Sequence, residues 1–232
     1  MKSTPYTPHA HLVAAKLLVA ALLLCCIAAG ALAQTAADPE NLSINARFLM
    51  AARNADAAAL KRELLAGASV NSRNRLGESA LIVVIKKERA DLANLLLDAG
   101  ADVNQPAVNG ITPLMAAAHA GEDALVKRML ALGANPRAVD RLQKNAMIYA
   151  AGEGRTEVVV MLLGAGIAPN EVYANDLTAL MWASGYGKAA TVRALLAAGA
   201  DPSLKDNRGK TAADIAREQG YAETVAALQA AR

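Results

Sequence analysis

The sequence is poor in the residues from which metal sites and many active sites are built. Its 232 residues include two cysteines and three histidines, and aromatic residues account for 3%. Cys25 and Cys26 both lie in an apolar run near the N-terminus, and beyond that run His119 is the single histidine. A zinc site of cysteine and histidine needs three or four such ligands. We therefore predict no metal site, and residues 34–232 also lack the cysteines that a disulfide requires.

The remaining residues contain no motif for catalysis. A serine triad would have to combine His119 with a distant serine such as Ser184, and the sequence has no G-x-S-x-G turn. Closely spaced glycines such as Gly152 and Gly154 border predicted helices, whereas a phosphate loop joins a strand to a helix. Asp214 is interpreted as an acid in the first turn of a helix, where its negative charge interacts favourably with the helix dipole. The sequence thus predicts a protein that is not an enzyme and has no catalytic residue or cofactor.

The charge balance argues against binding to nucleic acid. The formal net charge is +3, and without Lys2 and Lys16 the chain has 22 basic against 21 acidic residues. Nucleic-acid binding requires a basic stripe, which so even a balance does not favour. Alanine and leucine supply most of the 54% hydrophobic residues, and both favour helix over strand. The composition predicts a helical protein that does not bind nucleic acid.

The N-terminal residues have the three parts of a secretory signal peptide. A leader with Lys2 and Lys16 precedes the uncharged apolar run LLVAALLLCCIAAGALA at 17–33, which ends in Ala-Leu-Ala. We predict a signal peptide over 1–33 that is cleaved after Ala33, with only transient membrane contact. The expected location is the periplasm.

Three other outcomes are open at this terminus. The apolar run at 17–33 is close to the lower length limit for spanning a bilayer, so an uncleaved membrane anchor is one alternative. Secretion beyond the periplasm is another. Lipidation at Cys25 is disfavoured because Leu24 stands where a bacterial lipoprotein signal has a small residue. In each case residues 34–44 form a short polar leader.

A regular period, typical in length of a repeat protein, organises the rest of the chain. Glycine follows a leucine- or methionine-containing helical run at each of five evenly spaced positions, and side chains suited to capping a helix N-terminus recur with the same spacing. Such a helix pair buries its apolar face by stacking on its neighbours. The glycines are Gly67, Gly100, Gly133, Gly166 and Gly199, and the caps are Ser79, Thr112, Asn145, Thr178 and Thr211.

The repeated segments resemble the ankyrin repeat. The segment NGITPLMAAAHAGEDALVKRMLALGAN at 109–135 is similar to the family pattern nearly position by position, and LTALMWASGYGKAATVRALLAAGADPS at 177–203 resembles a common bacterial version. The resemblance implies an all-α repeat solenoid, a stack of helix-turn-helix units with β-hairpin-like loops. The units are an N-terminal capping repeat at 45–71, ankyrin repeats at 72–104, 105–137, 138–170 and 171–203, and a C-terminal capping repeat at 204–232.

Two units depart from the family pattern. The second unit has Glu88 where the family has a glycine between its helices. The fourth has Gln143 in place of the glycine before the cap, and Asn145-Ala146-Met147-Ile148 in place of Thr-Pro-Leu-His. We therefore expect an irregular hairpin at 138–146 and the least stable repeat of the stack in the fourth unit.

The resemblance also implies where a partner binds, on a concave surface lined by hairpin tips and the exposed faces of the first helices. Apolar side chains at the predicted tips suggest a contact surface, although packing of hairpin on hairpin would explain them equally well. Val108, Glu153 and Asn207 lie beside the candidates. The candidates are Arg75, Leu76, Glu78, Lys86, Lys87, Asn109, Ile111, His119, Arg141, Leu142, Lys144, Asn175, Leu177, Trp182, Tyr186, Arg208 and Lys210.

The character of this surface suggests an acidic protein partner. Seven of the candidates are basic and few are acidic, which favours a partner of opposite charge. Tyr186 is the stronger interface candidate of the aromatic pair, since the position of Trp182 usually packs between inner helices. We expect a monomeric scaffold or adaptor in the bacterial periplasm. A secreted effector that binds host proteins is the alternative, and an accessory subunit of an envelope enzyme is a further one.

Overall fold

The computed structural model describes residues 42–230, so the signal peptide expected at 1–33 lies outside the described residues. From Ile44 onward the chain forms one unit of twelve α-helices, and no strand is present in the described part. One short 3₁₀ turn covers Ala174–Asp176. The helices are α1 (Ile44–Asn54), α2 (Ala57–Leu65), α3 (Ala80–Ile85), α4 (Ala90–Asp98), α5 (Pro113–Ala120), α6 (Asp123–Ala131), α7 (Ala146–Glu153), α8 (Thr156–Gly164), α9 (Ala179–Gly185), α10 (Ala189–Ala197), α11 (Ala212–Glu218) and α12 (Ala222–Ala230).

The helices form two stacked layers, as an all-α repeat solenoid requires. Each odd-numbered helix packs on the next odd-numbered one and on the even-numbered helix that follows it in the chain. The layers bury a continuous aliphatic core of leucine, valine, methionine and alanine. Small residues such as Ala117 and Ala118 are fully buried in α5, which allows neighbouring helices to approach closely. No helix between residues 42 and 230 combines the length and hydrophobicity that crossing a membrane requires.

Helix starts and ends follow the predicted series. The side chains of Ser79, Thr112, Asn145, Thr178 and Thr211 each accept a hydrogen bond from a backbone N–H in the first turn, so all five predicted caps are confirmed. After each even-numbered helix from α2 to α10, the predicted glycine has a left-handed backbone with φ between 82° and 96°. A side chain is strained in this conformation, whereas glycine is not.

Asparagines in the loops join neighbouring units. The side chain of Asn71 accepts a hydrogen bond from the N–H of Asp102 at 2.8 Å. Asn104 does the same for the N–H of Asn135 at 2.8 Å. Arg137 takes this place in the third unit and donates to the carbonyl of Gly166, in the fourth, at 2.5 Å. These bonds fix the stacking of successive units outside the apolar core.

The prediction of an irregular hairpin at 138–146 is wrong, because the hairpin of the fourth unit closes normally. The N–H of Asp140 donates to the carbonyl of Lys144 at 2.9 Å, and that of Gln143 to the carbonyl of Asp140 at 3.0 Å. Gln143 adopts the left-handed conformation, with φ 59°, that Gly77 and Gly110 adopt in earlier hairpins. The irregular hairpin is the next one, where Asn175 and Asp176 both have positive φ. Glu88 likewise keeps the path of the missing glycine, with φ 56°.

Candidate protein-binding surface

The hairpins and the odd-numbered helices together form one side of the stack, which we call the hairpin face. The hairpins lie at residues 74–78, 107–111, 140–144, 173–177 and 206–210, and each precedes an odd-numbered helix. Each hairpin takes the number of its unit, so these are the second to sixth hairpins. Because successive units repeat at one constant spacing, side chains separated by that spacing occupy the same register on this face. Differences along the face therefore arise from residue type at a fixed position.

Aromatic side chains cluster on this face where the fourth unit meets the fifth. The rings of Trp182 and Tyr186 on α9 stack with centroids 6.0 Å apart and planes 9° from parallel. His119 and Tyr149 meet edge to face at 5.9 Å. Nζ of Lys144 lies 4.5 Å from the centroid of the Trp182 ring, which places it within range of a cation–π interaction.

The cluster borders two adjoining clefts. The first has a volume of about 190 Å³ and is lined by Leu142, Gln143, Tyr173, Ala174 and Asn175, together with Lys144, Ile148 and Trp182. The second, of about 100 Å³, shares Lys144, Ile148 and Trp182 and adds His119, Tyr149, Gly152, Glu153 and Tyr186. Gly152 lies against the Tyr186 ring, where an added Cβ would make an ordinary van der Waals contact with two ring carbons at 3.7 Å.

The first cleft coincides with a break in the contacts between hairpins. The N–H of Val108 donates to the carbonyl of Leu76 at 2.9 Å, and that of Arg141 to Asn109 at 3.0 Å. The same bond recurs from Asn207 to Asn175 at 3.1 Å. The corresponding pair between the fourth and fifth hairpins, the N–H of Ala174 and the carbonyl of Leu142, forms no hydrogen bond within residues 42–230. We call this interruption the hairpin gap.

The side chain of Gln143 explains the hairpin gap. At the same register in the second and third units, a Cβ on Gly77 would lie 2.9 Å from the N of Val108, and one on Gly110 would lie 2.8 Å from Cα of Asp140. Real Cβ atoms do not approach backbone so closely. Because Gln143 carries a Cβ on a regular hairpin path, the fifth hairpin does not dock on the fourth as the third and fourth dock on their predecessors. Asp176 also carries a Cβ at this register, but it belongs to the irregular fifth hairpin, where Asn207 still bonds to Asn175.

The turn chemistry of the fifth hairpin adds to this difference. Asn74, Asp140 and Asp206 each begin a hairpin and accept hydrogen bonds from two of its N–H groups with one side-chain oxygen. Tyr173 stands at that register in the fifth hairpin, and its hydroxyl accepts a bond from Nδ2 of Asn145 at 3.4 Å. The fifth hairpin turns through the 3₁₀ segment, whereas the third, which begins with Ala107, keeps the regular path.

Electrostatics differ along the hairpin face. Lys86 pairs with Glu78 at 2.6 Å, Arg208 with the buried Asp206 at 2.6 Å, and Lys210 with Glu218 at 2.5 Å. Arg141 and Lys144 form no ion pair with any residue from 42 to 230. The predicted basic character therefore needs correction, since three of the seven cations are neutralised. Among the described residues, the cations of this face without a counter-ion therefore include Lys144, which lies over the Trp182 ring, and Arg141, which precedes Leu142 in the chain.

Burial and hydrogen bonding shift the pKa of several groups on this face. Burial raises the pKa of Tyr173 to about 12. Burial, and then the hydrogen bond to Asp140, also raise the pKa of Tyr149, whose hydroxyl donates to that carboxylate at 2.6 Å. Burial alone would raise the pKa of Glu78, but the bonds from Lys86 and Asn74 lower it overall. Both phenols are thus held as neutral hydrogen-bonding groups at physiological pH.

Within the described residues, histidine, cysteine and carboxylate side chains form no group of three or more that could hold a metal ion. His119, the histidine singled out in the sequence, is exposed and lies 3.6 Å from the carboxylate of Glu153. The hairpin face therefore offers aromatic, aliphatic and cationic contacts. Such groups recur at the centres of protein interfaces.

Comparison with known families identifies the repeat. The family model for ankyrin repeats (3 copies) matches residues 48–140, 91–173 and 147–231. The chain belongs to the ankyrin-repeat family. Ankyrin repeats generally bind protein partners and are in general non-catalytic, so the chain contains a protein-interaction module.

Curated relatives match only through part of their length. The chain is 31% identical over 103 residues to the mouse inactive serine/threonine-protein kinase TEX14, covering 44% of this chain and 7% of that protein. The bovine protein of the same name is 34% identical over 86 residues, covering 37% of this chain and 6% of the relative. The chain thus spans less than a tenth of each relative, and the similarity lies in its ankyrin repeats.

The four apolar residues predicted at ankyrin hairpin tips occupy two different registers. Leu76 and Leu142 share one register and have 65% and 67% of their surfaces exposed. Ile111 and Leu177 share another, two residues further along, where they are half-buried and pack on the core. Packing on the core thus accounts for Ile111 and Leu177, whereas Leu76 and Leu142 remain exposed for contacts. Asn109 and Asn175 hold the exposed register in the third and fifth units.

The structure brings some of the predicted residues together and separates others. Lys144, Trp182 and Tyr186 meet at the two clefts, with His119 at their edge. Trp182 is half-buried, packing on the core below while its ring faces Lys144. Residues at the second unit are not part of this cluster, which holds for Arg75, Leu76, Glu78, Lys86 and Lys87.

The sequence analysis missed Tyr149 and Tyr173. Both are visible in the sequence, since four of the seven aromatic residues fall between positions 149 and 186. Tyr149 also lies one repeat length before Trp182 and so holds the same register. Comparing residues across units at each register would have found it.

Proposed function

We propose that this protein is a non-catalytic scaffold or adaptor that binds a partner protein through the hairpin face, with the contact centred on the fourth and fifth units. The observation that carries the proposal is the stack of Trp182 on Tyr186 beside Lys144. Tyr186 keeps 54% of its surface exposed, so a partner can bury it. Tryptophan and tyrosine dominate the energetics of many protein interfaces because they bury a large apolar area and keep a polar group for hydrogen bonding.

Exposed aliphatic side chains extend this contact region. Leu142 projects from the fourth hairpin with 67% of its surface exposed, next to the cleft that it lines. Burying such a side chain contributes about 1.5–3 kcal/mol when a partner removes it from water. An aromatic centre with an aliphatic and cationic surround matches the composition of an interface core.

Binding to an identified partner tests this proposal. The partner is captured with the purified protein, identified, and its Kd is measured against Leu142→Asp and Tyr186→Ala. Both variants are expected to weaken binding about tenfold or more. Leu76→Asp is the matched control, because it makes the same change at the same register two units away and is expected to leave Kd unchanged. Full-strength binding by both test variants would contradict the proposal.

We further propose that the protein acts as an exported monomer in the periplasm. The apolar run at 17–33 and its Ala-Leu-Ala end support export, and the lack of cysteine in residues 34–232 suits an oxidising compartment. N-terminal sequencing of protein from cell fractions tests this, with a start at Gln34 in the periplasmic fraction as the expected result. An intact Met1 in the membrane fraction would contradict it, and recovery from the medium would support a secreted effector instead.

A further inference from the structure

We infer that the cleft at the hairpin gap receives an extended acidic segment of the partner protein, with one apolar side chain inserted between Trp182 and Tyr173 and flanking carboxylates on Arg141 and Lys144. This inference rests on the proposed function and specifies the chemistry of the partner. It combines the size of the cleft, the unpaired backbone groups at its edge and the charge around it.

The size of the cleft suits a side chain better than a small molecule. Pockets for drug-sized ligands have volumes of about 300–1,000 Å³, and this cleft has about 190 Å³. Its walls include Leu142, Ile148 and the rings of Tyr173 and Trp182, so most of the lining is apolar. A single aliphatic or aromatic side chain carried on a peptide fits both the volume and the lining.

The edge of the cleft offers backbone groups to an extended chain. The carbonyl of Leu142 and the N–H of Ala174 lack the bond that joins the other neighbouring hairpins, and neither has another hydrogen-bond partner within residues 42–230. Both residues are exposed. An extended peptide presents alternating N–H and C=O groups that can pair with such positions, as in strand addition to a sheet edge. A helix in the partner satisfies its own backbone and cannot do this.

The charge at the cleft selects acidic sequences. Arg141 and Lys144 have no acidic partner among the described residues, whereas Lys210, at the register of Lys144, pairs with Glu218 at 2.5 Å. Asp140 faces its own hairpin and Tyr149, and Glu153 lies by His119 at 3.6 Å. Asp176 on the fifth hairpin makes no ion pair with either cation. Carboxylates in the ligand would supply the missing counter-charge.

Selection of peptides on the protein tests the inference directly. A phage library of random nine-residue peptides is selected on the purified protein, and Kd values for the enriched peptides are measured from fluorescence, since Trp182 is the only tryptophan. We expect an apolar residue flanked by aspartate or glutamate, and binding that weakens as salt is raised. Lys144→Glu and the milder Lys144→Gln are expected to weaken binding at least tenfold and about threefold, respectively. Lys210→Glu, the matched control, should leave it unchanged.

The outcomes separate this inference from the proposed function. Enrichment of basic or purely apolar peptides, full binding by both Lys144 variants, or no enrichment at all would overturn the inference. If the partner's Kd still depends on Leu142 and Tyr186 in any of those cases, the proposed function stands and the partner binds by another structure. If the partner's Kd depends on neither residue, the proposed function itself fails. Circular dichroism confirms that each variant is folded before its Kd is compared.

Discussion

The second and fourth units place the same register of the ankyrin repeat on the hairpin face and build different surfaces from it. In the second unit Lys86 is paired with Glu78 at 2.6 Å, and the hairpin is bonded to the next through Leu76 and Val108 at 2.9 Å. In the fourth, Lys144 stands at the register of Glu78 and lies 4.5 Å from the Trp182 ring. The next hairpin there is not bonded to Leu142. At the second unit, the lysine and the backbone groups of the hairpin are paired within the protein. At the fourth unit, Lys144 and the carbonyl of Leu142 have no such partner among the described residues and are available to a ligand.

This contrast comes from a few differences in residue type at equivalent positions of the repeat. Gln143 stands where the second and third units have a glycine, and Tyr173 stands where three of the other hairpins begin with Asn or Asp and one with Ala107. Trp182 stands where the second and third units have Val83 and Ala116. The stacked core is common to all units, so specificity resides in the register positions that the core does not constrain.

The largest expected effect is a loss of stability when the side chain that holds a hairpin together is removed. Asp140 is buried and accepts hydrogen bonds from the N–H groups of Leu142 and Lys144 and from the hydroxyl of Tyr149. Asp140→Ala leaves three donors without their acceptor and is expected to lower the free energy of unfolding by about 3 kcal/mol. Urea denaturation measures the change.

The matched variant is Asn74→Ala in the second hairpin. Asn74 is neutral, accepts the bonds from the N–H groups of Leu76 and Glu78, and donates one from Nδ2 to the Glu78 carboxylate at 2.9 Å, so the expected loss is about 1–2 kcal/mol. Ala107 occupies this register in the third hairpin, which indicates that alanine is compatible with the hairpin path. Equal losses for the two variants would show that the bond from Tyr149 to Asp140 adds no more stability than the bond from Asn74 to the Glu78 carboxylate.

The second prediction concerns the affinity for the partner protein and the register shared by Trp182 and Val83. Trp182→Ala removes the ring that stacks on Tyr186 and lies under Lys144. We expect the partner's Kd to rise about 30-fold, which corresponds to about 2 kcal/mol, the size typical of an interface hot spot. Titration calorimetry measures this. Val83→Ala, at the same register in the second unit, should change Kd less than about twofold, and a comparable loss there would place the contact along the whole face.

Much of the fold could be predicted from the sequence because its signals are local. A cap such as Thr112 acts on a backbone N–H three residues away, and a glycine such as Gly133 is required by the φ at its own position. The hairpin gap could not be predicted this way. It depends on the close approach between one hairpin and the next, which the sequence does not display. The ion pairs that neutralise Lys86 and Lys210 likewise join residues eight positions apart, at the two ends of a short helix.

One expectation about the fourth unit is left as a prediction. Gln143 and Asn145 in the sequence predict that this repeat is the least stable of the stack. Asn145 caps α7 as the other units' residues cap their helices, so the cap gives no reason for low stability. Strain at Gln143 does, because its φ of 59° is unfavourable for a residue with a side chain. Hydrogen exchange along the stack would rank the units.

The third prediction uses that strain to separate stability from binding. Gln143→Gly relieves the left-handed backbone and is expected to raise the free energy of unfolding by about 1 kcal/mol. It also removes the Cβ that keeps the fifth hairpin away, so the gap should close and peptide affinity should fall. Glu88→Gly is the control, with the same relief at φ 56° but a position outside the two clefts. It should stabilise the protein without changing Kd, whereas unchanged Kd in Gln143→Gly would refute the assigned cause of the gap.

The smallest expected effect is an alkaline pH dependence of stability, which the fifth hairpin has through Tyr173 and the second hairpin lacks. Tyr173 occupies the register of Asn74, and burial raises its pKa from 10.0 to about 12. Since the pKa in the folded state is above that in the unfolded state, the neutral phenol contributes stability that is fully present below pH 10.0 and is lost as the pH rises through about 12. The ultraviolet absorbance of phenolate, compared between the native protein and Tyr173→Phe, isolates this ionisation. A difference titration centred near pH 10.0 instead would show that the phenol is solvated, and that the wall of the cleft at Tyr173 is open to water.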